Sequence, residues 1–272
     1  MEAPRRSIKM ELGLKHKVVL ITGSTAGIGF ATAIGFAREG AEVVVNGRNA
    51  ERVDAAQKRL RDAVAGAKVR GVVADVATSH GCDALVQAVP DLDVLVNNAG
   101  VFQPQAFEEI PDSEWSRFFE TNVMSGIRLS RHYFPRMLKK NWGRIVFVSS
   151  ESALQIPVEM IHYGMTKTAQ LAVSRGLAER TKGTNVTVNS VLPGPTGSEG
   201  VGDFVAKLAN EQQISAAEME RRFFETARPS SLLARFAKPE EIANMIVYVA
   251  SEAASATNGA ALHVDGGVVR SL

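Results

Sequence analysis

The sequence predicts a single α/β domain, a doubly wound sheet of seven parallel strands with helices on both faces. Short runs rich in β-branched residues alternate with longer amphipathic runs, which is typical of repeated βαβ units. The chain has 272 residues, 45% hydrophobic and 22% charged, and this is enough to bury one large core. A glycine-rich turn joins the first apolar run to the first amphipathic run. We therefore treat residues 1–272 as one domain.

The apolar runs and the capping residues between them predict the individual elements. Strands are predicted at residues 18–22, 42–46, 68–74, 92–97, 144–149, 185–192 and 261–265. Helices are predicted at residues 27–40, 49–66, about 113–140 and about 160–182. Asn49 is suited to the N-cap of the second helix, and Pro239 to the first position of a last helix. Residues 193–238 are rich in proline and glycine at their start and then only weakly helical, which predicts an excursion from the sheet that serves as a substrate lid.

Composition argues against several classes of partner. The 31 basic and 29 acidic residues are mixed along the chain, which gives no electrostatic case for a nucleic acid or a membrane. Arg5, Arg6, Lys9, Lys15 and Lys17 form a basic start, interpreted as a solvated arm. Without a signal-peptide or membrane-spanning stretch, we expect a soluble cytoplasmic protein.

Cys82 is the single cysteine. It has no partner for an internal disulfide and no second cysteine for a metal cluster, so we expect a packing role and no metal site.

The stretch "TGSTAGIG" at residues 22–29 has the features of a phosphate cradle. Gly23, Gly27 and Gly29 permit a tight turn and a close approach of the backbone, and the N–H groups at a helix start favour negative charge. The alternative is merely a close connection between strand and helix. Because the stretch lies between a strand and an amphipathic helix, we favour a nucleotide site.

The end of the second strand, "VVVNGRN", bears on which nucleotide is bound. Gly47 stands where an acidic residue would accept hydrogen bonds from the ribose of NAD. Arg48 follows and offers a guanidinium to a phosphate, which favours NADP over NAD. The alternative for Arg48 is a residue of a surface turn.

Tyr163 and Lys167 are four residues apart in "HYGMTK". On a helix they share one face, so the ammonium is expected near the phenol oxygen, where it would lower the pKa of the phenol. Chance pairs of this kind also occur on solvated helices.

Short motifs occur in a fixed order along the chain: "TGSTAGIG", "DV" (75–76), "NNAG" (97–100), "TNV" (121–123), "SS" (149–150), "YGMTK" (163–167), "PGPT" (193–196) and "VDGG" (264–267). With these motifs in this order, the chain resembles the short-chain dehydrogenase/reductase family, whose fold is Rossmann-like. The resemblance extends from Val18 to about Val268. The crossover between Asp75 and Asn97 is shorter than the family pattern.

The resemblance implies four catalytic residues. Tyr163 would be the general acid in carbonyl reduction, and a shift from a phenol pKa of ~10 to neutrality needs roughly 4 kcal/mol. Lys167 would supply that shift and bond the nicotinamide ribose. Ser150, with Ser149 as a rival, would hold the substrate oxygen. The backbone of Asn122 would help to hold a proton-relaying water, or the residue would bond neighbouring elements.

The resemblance also implies a set of cofactor-binding residues. Asp75 and Val76 would contact the adenine, residues 98–100 the adenosine side, and residues 193–196 the nicotinamide. The full set is Gly23, Ser24, Thr25, Ile28, Gly29, Asn46, Arg48, Asp75, Val76, Asn98, Ala99, Gly100, Tyr163, Lys167, Pro193, Gly194 and Thr196.

The sequence therefore predicts an oxidoreductase that transfers a hydride between NADP(H) and a ketone or secondary alcohol. An NAD-dependent dehydrogenase of a sugar, polyol or sterol-like alcohol is one alternative, and a nucleotide-binding regulatory protein is another. Reduction of a 3-oxoacyl thioester is suggested by four basic residues, Arg136, Lys139, Lys140 and Arg144. Glu151 would select a polar or cationic substrate group, or would point to solvent. The family implies a homodimer or homotetramer.

Overall fold

The computed structural model describes residues 10–271, without the side chains of Asp203, Phe204, Lys207 and Leu208. Arg5, Arg6 and Lys9 of the predicted basic arm lie outside these residues, as do both ends of the predicted domain. Within the described part of the chain, the helices are all too short or too polar to span a bilayer.

Seven strands form one parallel sheet, as the sequence predicts. They are β1 (Val18–Ile21), β2 (Glu42–Gly47), β3 (Lys68–Val73), β4 (Val94–Asn97), β5 (Gly143–Val148), β6 (Val186–Pro193) and β7 (Ala261–Val264). Their order in space is β3-β2-β1-β4-β5-β6-β7. The chain order reverses at β1, between β2 and β4, and parallel sheets bind ligands outside the carboxyl ends of the strands at such a point.

Helices cover both faces of the sheet, which confirms the predicted fold class. They are α1 (Gly27–Arg38), α2 (Ala50–Ala63), α3 (Ser79–Ala88), α4 (Asp112–Phe119), α5 (Ser125–Lys140), α6 (Ile161–Glu179), α7 (Glu199–Glu211), α8 (Ala216–Thr226) and α9 (Pro239–Val249). The predicted N-cap is confirmed, because Asn49 accepts a hydrogen bond from the backbone of Arg52 at 2.9 Å. Pro239 is the first residue of α9, as predicted.

The core consists of two apolar layers, one on each face of the sheet. Val19 and Ile21 contribute to one layer with α1 and α9, while Leu20 contributes to the other with α3 and α5. Such alternation follows from the two-residue period of a strand. Cys82 lies in the second layer, where burial raises the pKa of its thiol to about 11.

The long helix predicted at residues 113–140 is present, but it contains a feature that the sequence did not indicate. A π-helical turn at Glu120–Met124 lies between α4 and α5. The turn carries Asn122, which is 1% exposed, into the interior. Such a turn adds one residue without ending the helix, and the apolar pattern on either side stays helical.

The 193–238 excursion contains two helices, α7 and α8, where the sequence shows only weak helical character. Its two ends lie side by side, because Gly197 donates to Ala237 and Ala237 donates to Pro195, each through backbone groups 2.9 Å apart. Phe223, Phe224 and Phe236 pack together near its end, with ring centroids 5.1 to 5.2 Å apart. The excursion is thus a folded helical hairpin on a narrow base.

Candidate active site

A cavity of about 300 Å³ lies at the carboxyl ends of β4, β5 and β6. The excursion forms its far wall through Val201, Val205, Met219 and Phe223. Predicted site residues on the cavity wall are Ile28, Asn98, Gly100, Ser150, Tyr163, Lys167, Pro193, Gly194 and Thr196. The structure therefore brings three of the four predicted catalytic side chains to one cavity.

Tyr163 and Lys167 lie together on α6. The Lys167 ammonium is 5.5 Å from the centroid of the Tyr163 ring. It donates to the carbonyl oxygen of Val148 at 2.9 Å and to Oε1 of Gln170 at 3.3 Å. These bonds hold the ammonium beside the aromatic ring at the end of β5.

The pKa values of this pair differ from the sequence-based expectation. Burial raises the pKa of Tyr163 above its ordinary value, and the charge of Glu151 raises it further. A hydrogen bond with Ser150 and the charge of Arg228 act in the opposite direction but do not reverse the shift. The prediction that the pKa of Tyr163 is lowered was therefore wrong for the protein alone. Removing the phenol from water has a larger effect on this pKa than the groups that lower it.

Burial also lowers the pKa of the Lys167 ammonium to about 8, although the charge of Glu151 opposes this shift. At neutral pH the phenol of Tyr163 is thus protonated and most of the Lys167 side chains are charged. A protonated phenol is the form that reduction of a carbonyl requires.

Ser150 lies two residues beyond β5, and its hydroxyl contacts Glu151 and Ser152 as well as Tyr163. It donates to Oε2 of Glu151 at 2.5 Å and accepts from the backbone of Ser152 at 3.1 Å. Ser149 donates instead to the backbone carbonyl of Lys167 at 2.9 Å. Ser149 thus fastens β5 to α6, whereas Ser150 is joined to an ionisable side chain.

Asn122 bridges three elements. Its side chain accepts from the backbone of Val101 at 2.8 Å and donates to the hydroxyl of Thr166 at 3.0 Å. The backbone carbonyl oxygen of Asn122 accepts from the side-chain amide of Gln170 at 2.5 Å, and Gln170 in turn accepts from the Lys167 ammonium. The sequence did not indicate Gln170, although its position three residues after Lys167 places both on one side of α6. The water-holding role of Asn122 stays a prediction.

The glycine-rich turn has the backbone that a bound pyrophosphate needs. Gly23 and Gly27 have φ values of +60° and +55°. A Cβ on Gly29 would lie 2.5 Å from Nδ2 of Asn98, so only glycine fits there. Among the described residues, no side chain caps the start of α1 and no acidic residue lies in its first turn. These features fit the phosphates of a dinucleotide.

Two predicted cofactor residues are buried behind the turn. Ser24 is 0% exposed and donates to the carbonyl of Ile21 at 2.7 Å. Asn46 is 1% exposed and donates to the carbonyls of Val72 and Ala74 at 3.2 and 3.1 Å. Their side chains therefore support the turn from inside the protein.

Thr22 is a supporting residue that the sequence reasoning missed. Its hydroxyl accepts from the backbones of Asn98 and Ala99 at 3.0 and 2.9 Å. It thereby fixes the segment after β4 against the glycine-rich turn. Its place inside the motif "TGSTAGIG" was the available signal.

Arg48 is exposed just beyond β2. The preceding position has no room for a side chain, because a Cβ on Gly47 would lie 2.7 Å from the methyl carbon of Thr25. Thr25 thus occupies the place where an acidic residue at 47 would project. Asp75 is exposed beyond β3 and accepts from the backbone of Ala77 at 3.1 Å.

The remaining predicted cofactor residues follow strand ends. Val76 is 5% exposed and packs in the apolar layer with Cys82. Pro193 ends β6, and a Cβ on Gly194 would lie 2.5 Å from the carbonyl oxygen of Asp265. Thr196 donates from its hydroxyl to the carbonyl of Gly194 at 2.9 Å.

A buried ion pair joins the excursion to Glu151, the residue that follows Ser150. Nε of Arg228 lies 3.1 Å from Oε1 of Glu151, and Nη1 lies 3.2 Å from Oε1 of Glu159. Glu151 is only 5% exposed, so the interpretation that it points to solvent was wrong. Arg228 was not predicted, because the sequence carries no signal that pairs it with a residue so distant along the chain.

Comparison with known proteins identifies the family. A family model described as short chain dehydrogenase matches residues 17–209. The chain belongs to the short-chain dehydrogenase family. The predicted enzyme class, an NAD(P)-dependent oxidoreductase, is thereby confirmed.

Similar proteins align with this short-chain dehydrogenase over almost its whole length. Two are the uncharacterized oxidoreductases YvaG and YvrD of Bacillus subtilis, 47% and 48% identical, each over 97% of this chain and all of the relative. A crystal structure of L-sorbose reductase from Gluconobacter frateurii, complexed with NADPH and L-sorbose, has 34% identity and a TM-score of 0.91. That match covers 97% of this chain and 100% of the reductase.

Proposed function

We propose that this short-chain dehydrogenase uses NADPH to reduce a neutral ketone to a secondary alcohol, with Tyr163 as the proton donor. The observation that carries the proposal is the placement of Ser150, Tyr163 and Lys167 on one cavity wall, next to the uncapped start of α1. A dinucleotide with its phosphates at α1 would extend its reactive ring toward these side chains.

The proposed chemistry assigns one task to each side chain. Bound NADPH would supply the hydride. Tyr163, protonated at neutral pH, gives its proton to the carbonyl oxygen as the carbon is reduced. Ser150 donates a hydrogen bond to that oxygen, and Lys167 adds a positive charge beside the phenol. The phenol then regains a proton from solvent.

NADP(H) is proposed over NAD(H) on the basis of Arg48 and Gly47. The exposed guanidinium of Arg48 is available to a phosphate beyond β2. The contact between Thr25 and position 47 leaves no space for the carboxylate that would bind the ribose of NAD. The NADPH in the L-sorbose reductase complex supports the same preference.

The 193–238 excursion is proposed to be the substrate lid. Its helices supply Val201, Val205, Met219 and Phe223 to the cavity wall, and its last part supplies Arg228. Closure of such a segment would exclude water from the hydride transfer.

Reduction of a 3-oxoacyl thioester is a second candidate function, favoured by relatives such as the 3-oxoacyl-[acyl-carrier-protein] reductase of Aquifex aeolicus at 31% identity. The basic residues that suggested it, however, lie around the end of α5 and the start of β5, whereas the cavity lies at the carboxyl ends of the strands. Arg144, the second residue of β5, is 2% exposed and donates hydrogen bonds to the backbone carbonyls of Asn185 and Ser251. Lys140 pairs with Asp93. We therefore place the ketone ahead of the thioester.

A homodimer or homotetramer and a cytoplasmic location complete the proposal. The family resemblance supports the assembly, and light scattering would test it. The proposed reaction is tested by offering a panel of ketones with NADPH or NADH and following absorbance at the nicotinamide band. We expect oxidation of NADPH by a neutral ketone, and a strong preference for NADH would contradict the role of Arg48.

A further inference from the structure

The hydroxyl group of Ser150 has a single proton, and the structure shows where it goes. Ser150 donates it to Oε2 of Glu151 at 2.5 Å. A bound ketone needs the same proton on its carbonyl oxygen. When Ser150 turns to the ketone, Oε2 of Glu151 therefore loses a hydrogen-bond donor.

Glu151 has little freedom to recover that bond from water. Its side chain is 6% exposed, and its other oxygen is held by the guanidinium of Arg228 at 3.1 Å. A buried carboxylate oxygen without a donor is unfavourable, so a bound substrate that offers a donor is preferred over one that does not. The required donor has to lie beside the carbonyl oxygen. The carbonyl oxygen accepts the proton of Ser150, and the substrate donor takes the place of that proton at Oε2 of Glu151.

The charge at this end of the cavity selects against anions. One guanidinium, that of Arg228, faces the two carboxylates of Glu151 and Glu159. The second cation on the wall, Lys167, donates to Val148 and Gln170. Beside Ser150, two carboxylates thus share one guanidinium, so a substrate carboxylate next to the carbonyl would be repelled by Glu151, whereas a neutral hydroxyl would meet an acceptor.

We propose that Glu151 is the specificity-determining residue of this enzyme and accepts a hydrogen bond from a substrate hydroxyl on the carbon next to the carbonyl. The preferred substrates are then neutral α-hydroxyketones. This inference rests on the proposed ketone reduction.

The geometry suits that substrate class. The two oxygens of an α-hydroxyketone, when on the same side, are roughly 2.7 Å apart, about the length of an O–H···O hydrogen bond. They match Oγ of Ser150 and Oε2 of Glu151, which are 2.5 Å apart. Phe102, Met160 and Met219 make the nearby wall apolar, so the rest of the substrate can be a hydrocarbon group.

The test compares hydroxyacetone with methoxyacetone as substrates of the full chain with NADPH. Both carry an electron-withdrawing oxygen next to the carbonyl, but only hydroxyacetone donates a hydrogen bond. A bond to a charged acceptor is typically worth a factor of about ten, so we expect kcat/KM to favour hydroxyacetone by about tenfold or more. Pyruvate, which carries an anion at the same carbon, should be poorer than either.

Two variants distinguish the hydrogen bond to Glu151 from an effect of the overall charge of the cavity. In Glu151→Gln the ratio of the two kcat/KM values should fall severalfold, because the acceptor is neutral. In Glu159→Gln, which also removes a carboxylate from Arg228, the ratio should stay close to that of the wild type. If Glu151→Gln fails to fold, as judged by circular dichroism, the wild-type ratio alone decides.

The outcomes distinguish this inference from the proposed function. Equal kcat/KM values for hydroxyacetone and methoxyacetone in the wild type would overturn the inference and leave ketone reduction in place. Failure to oxidise NADPH with these ketones and with 2,3-butanedione, by protein that binds NADPH, would overturn both.

Discussion

Arg228 and Glu151 form a buried ion pair, with 3.1 Å between Nε and Oε1 and side chains that are 8% and 6% exposed. The pair joins the segment after α8 to the residue that follows Ser150. The position of the excursion and the orientation of the serine hydroxyl are therefore mechanically linked.

Arg228→Met should lower the free energy of unfolding strongly. Removing one partner of a buried ion pair leaves the other charge uncompensated, which costs about 3–5 kcal/mol. Urea or thermal unfolding measures the loss, and the double variant with Glu151→Gln should regain part of it. Arg222→Met is a matched control, because Arg222 pairs with Glu218 while its side chain is 48% exposed. Equal losses for Arg228→Met and Arg222→Met would show that the buried pair does not stabilise the fold.

Tyr163→Phe should abolish hydride transfer, because it removes the proposed proton donor. General acid catalysis contributes a factor of about 10²–10⁴, so kcat should fall at least a hundredfold. The affinity for NADPH, measured by fluorescence titration, should be nearly unchanged. Normal turnover in this variant would dismiss the phenol as the acid.

Arg48→Ala should weaken the binding of NADPH without weakening that of NADH. Loss of a hydrogen bond to a charged group is worth about 1.5–3 kcal/mol, which is tenfold or more in Kd. Arg52→Ala serves as the control, since Arg52 is also exposed near the start of α2. A parallel change in both dinucleotides, or a similar effect in both variants, would argue against a phosphate contact.

The rate should fall in mildly alkaline solution because Lys167 loses its charge. The pKa of Lys167 is lowered to about 8, so the cation is present below that pH and is lost above it. Tyr163 remains protonated there, since its pKa is raised. A plot of kcat/KM for NADPH against pH should therefore decline above about pH 8.

The same profile offers a second check on Glu151. Its charge raises the pKa values of both Lys167 and Tyr163. In Glu151→Gln the alkaline decline should accordingly begin at lower pH. A decline that stays in place would mean that the carboxylate does not act on Lys167.

Gly29→Ala should impair NADPH binding more than tenfold, because the added methyl group would lie 2.5 Å from Nδ2 of Asn98 and 2.6 Å from the carbonyl of Gly23. Gly176→Ala in α6 is the control: of the described atoms, none outside its own helix lies within 4 Å of the added carbon. The control should gain about 0.5–1 kcal/mol of stability, since alanine favours helix. Unchanged binding by Gly29→Ala would show that the turn can widen.

The sequence predicted the features that depend on local patterns. The strand β1, the cap at Asn49 and the start of α9 at Pro239 each follow from a few neighbouring residues. The helical period could not show the π turn around Asn122, because an inserted residue leaves the apolar faces on either side intact.

Features that depend on burial were harder to predict. Ser24 and Asn46 are polar residues that the sequence assigned to cofactor binding, yet their side chains lie inside the protein. The pKa of Tyr163 moves upward because of desolvation, a quantity that spacing along a helix does not contain. Arg228 meets Glu151 only through the path of the excursion.

The base of the 193–238 excursion has an evolutionary consequence. Chain exit and return occur side by side at two backbone hydrogen bonds between residues 195–197 and Ala237. The intervening helices can therefore diverge, or be exchanged between homologues by grafting at this junction, while the seven strands and the dinucleotide cradle stay as they are. New substrate ranges would then arise from a replaceable cassette, provided that the graft keeps an arginine to meet Glu151.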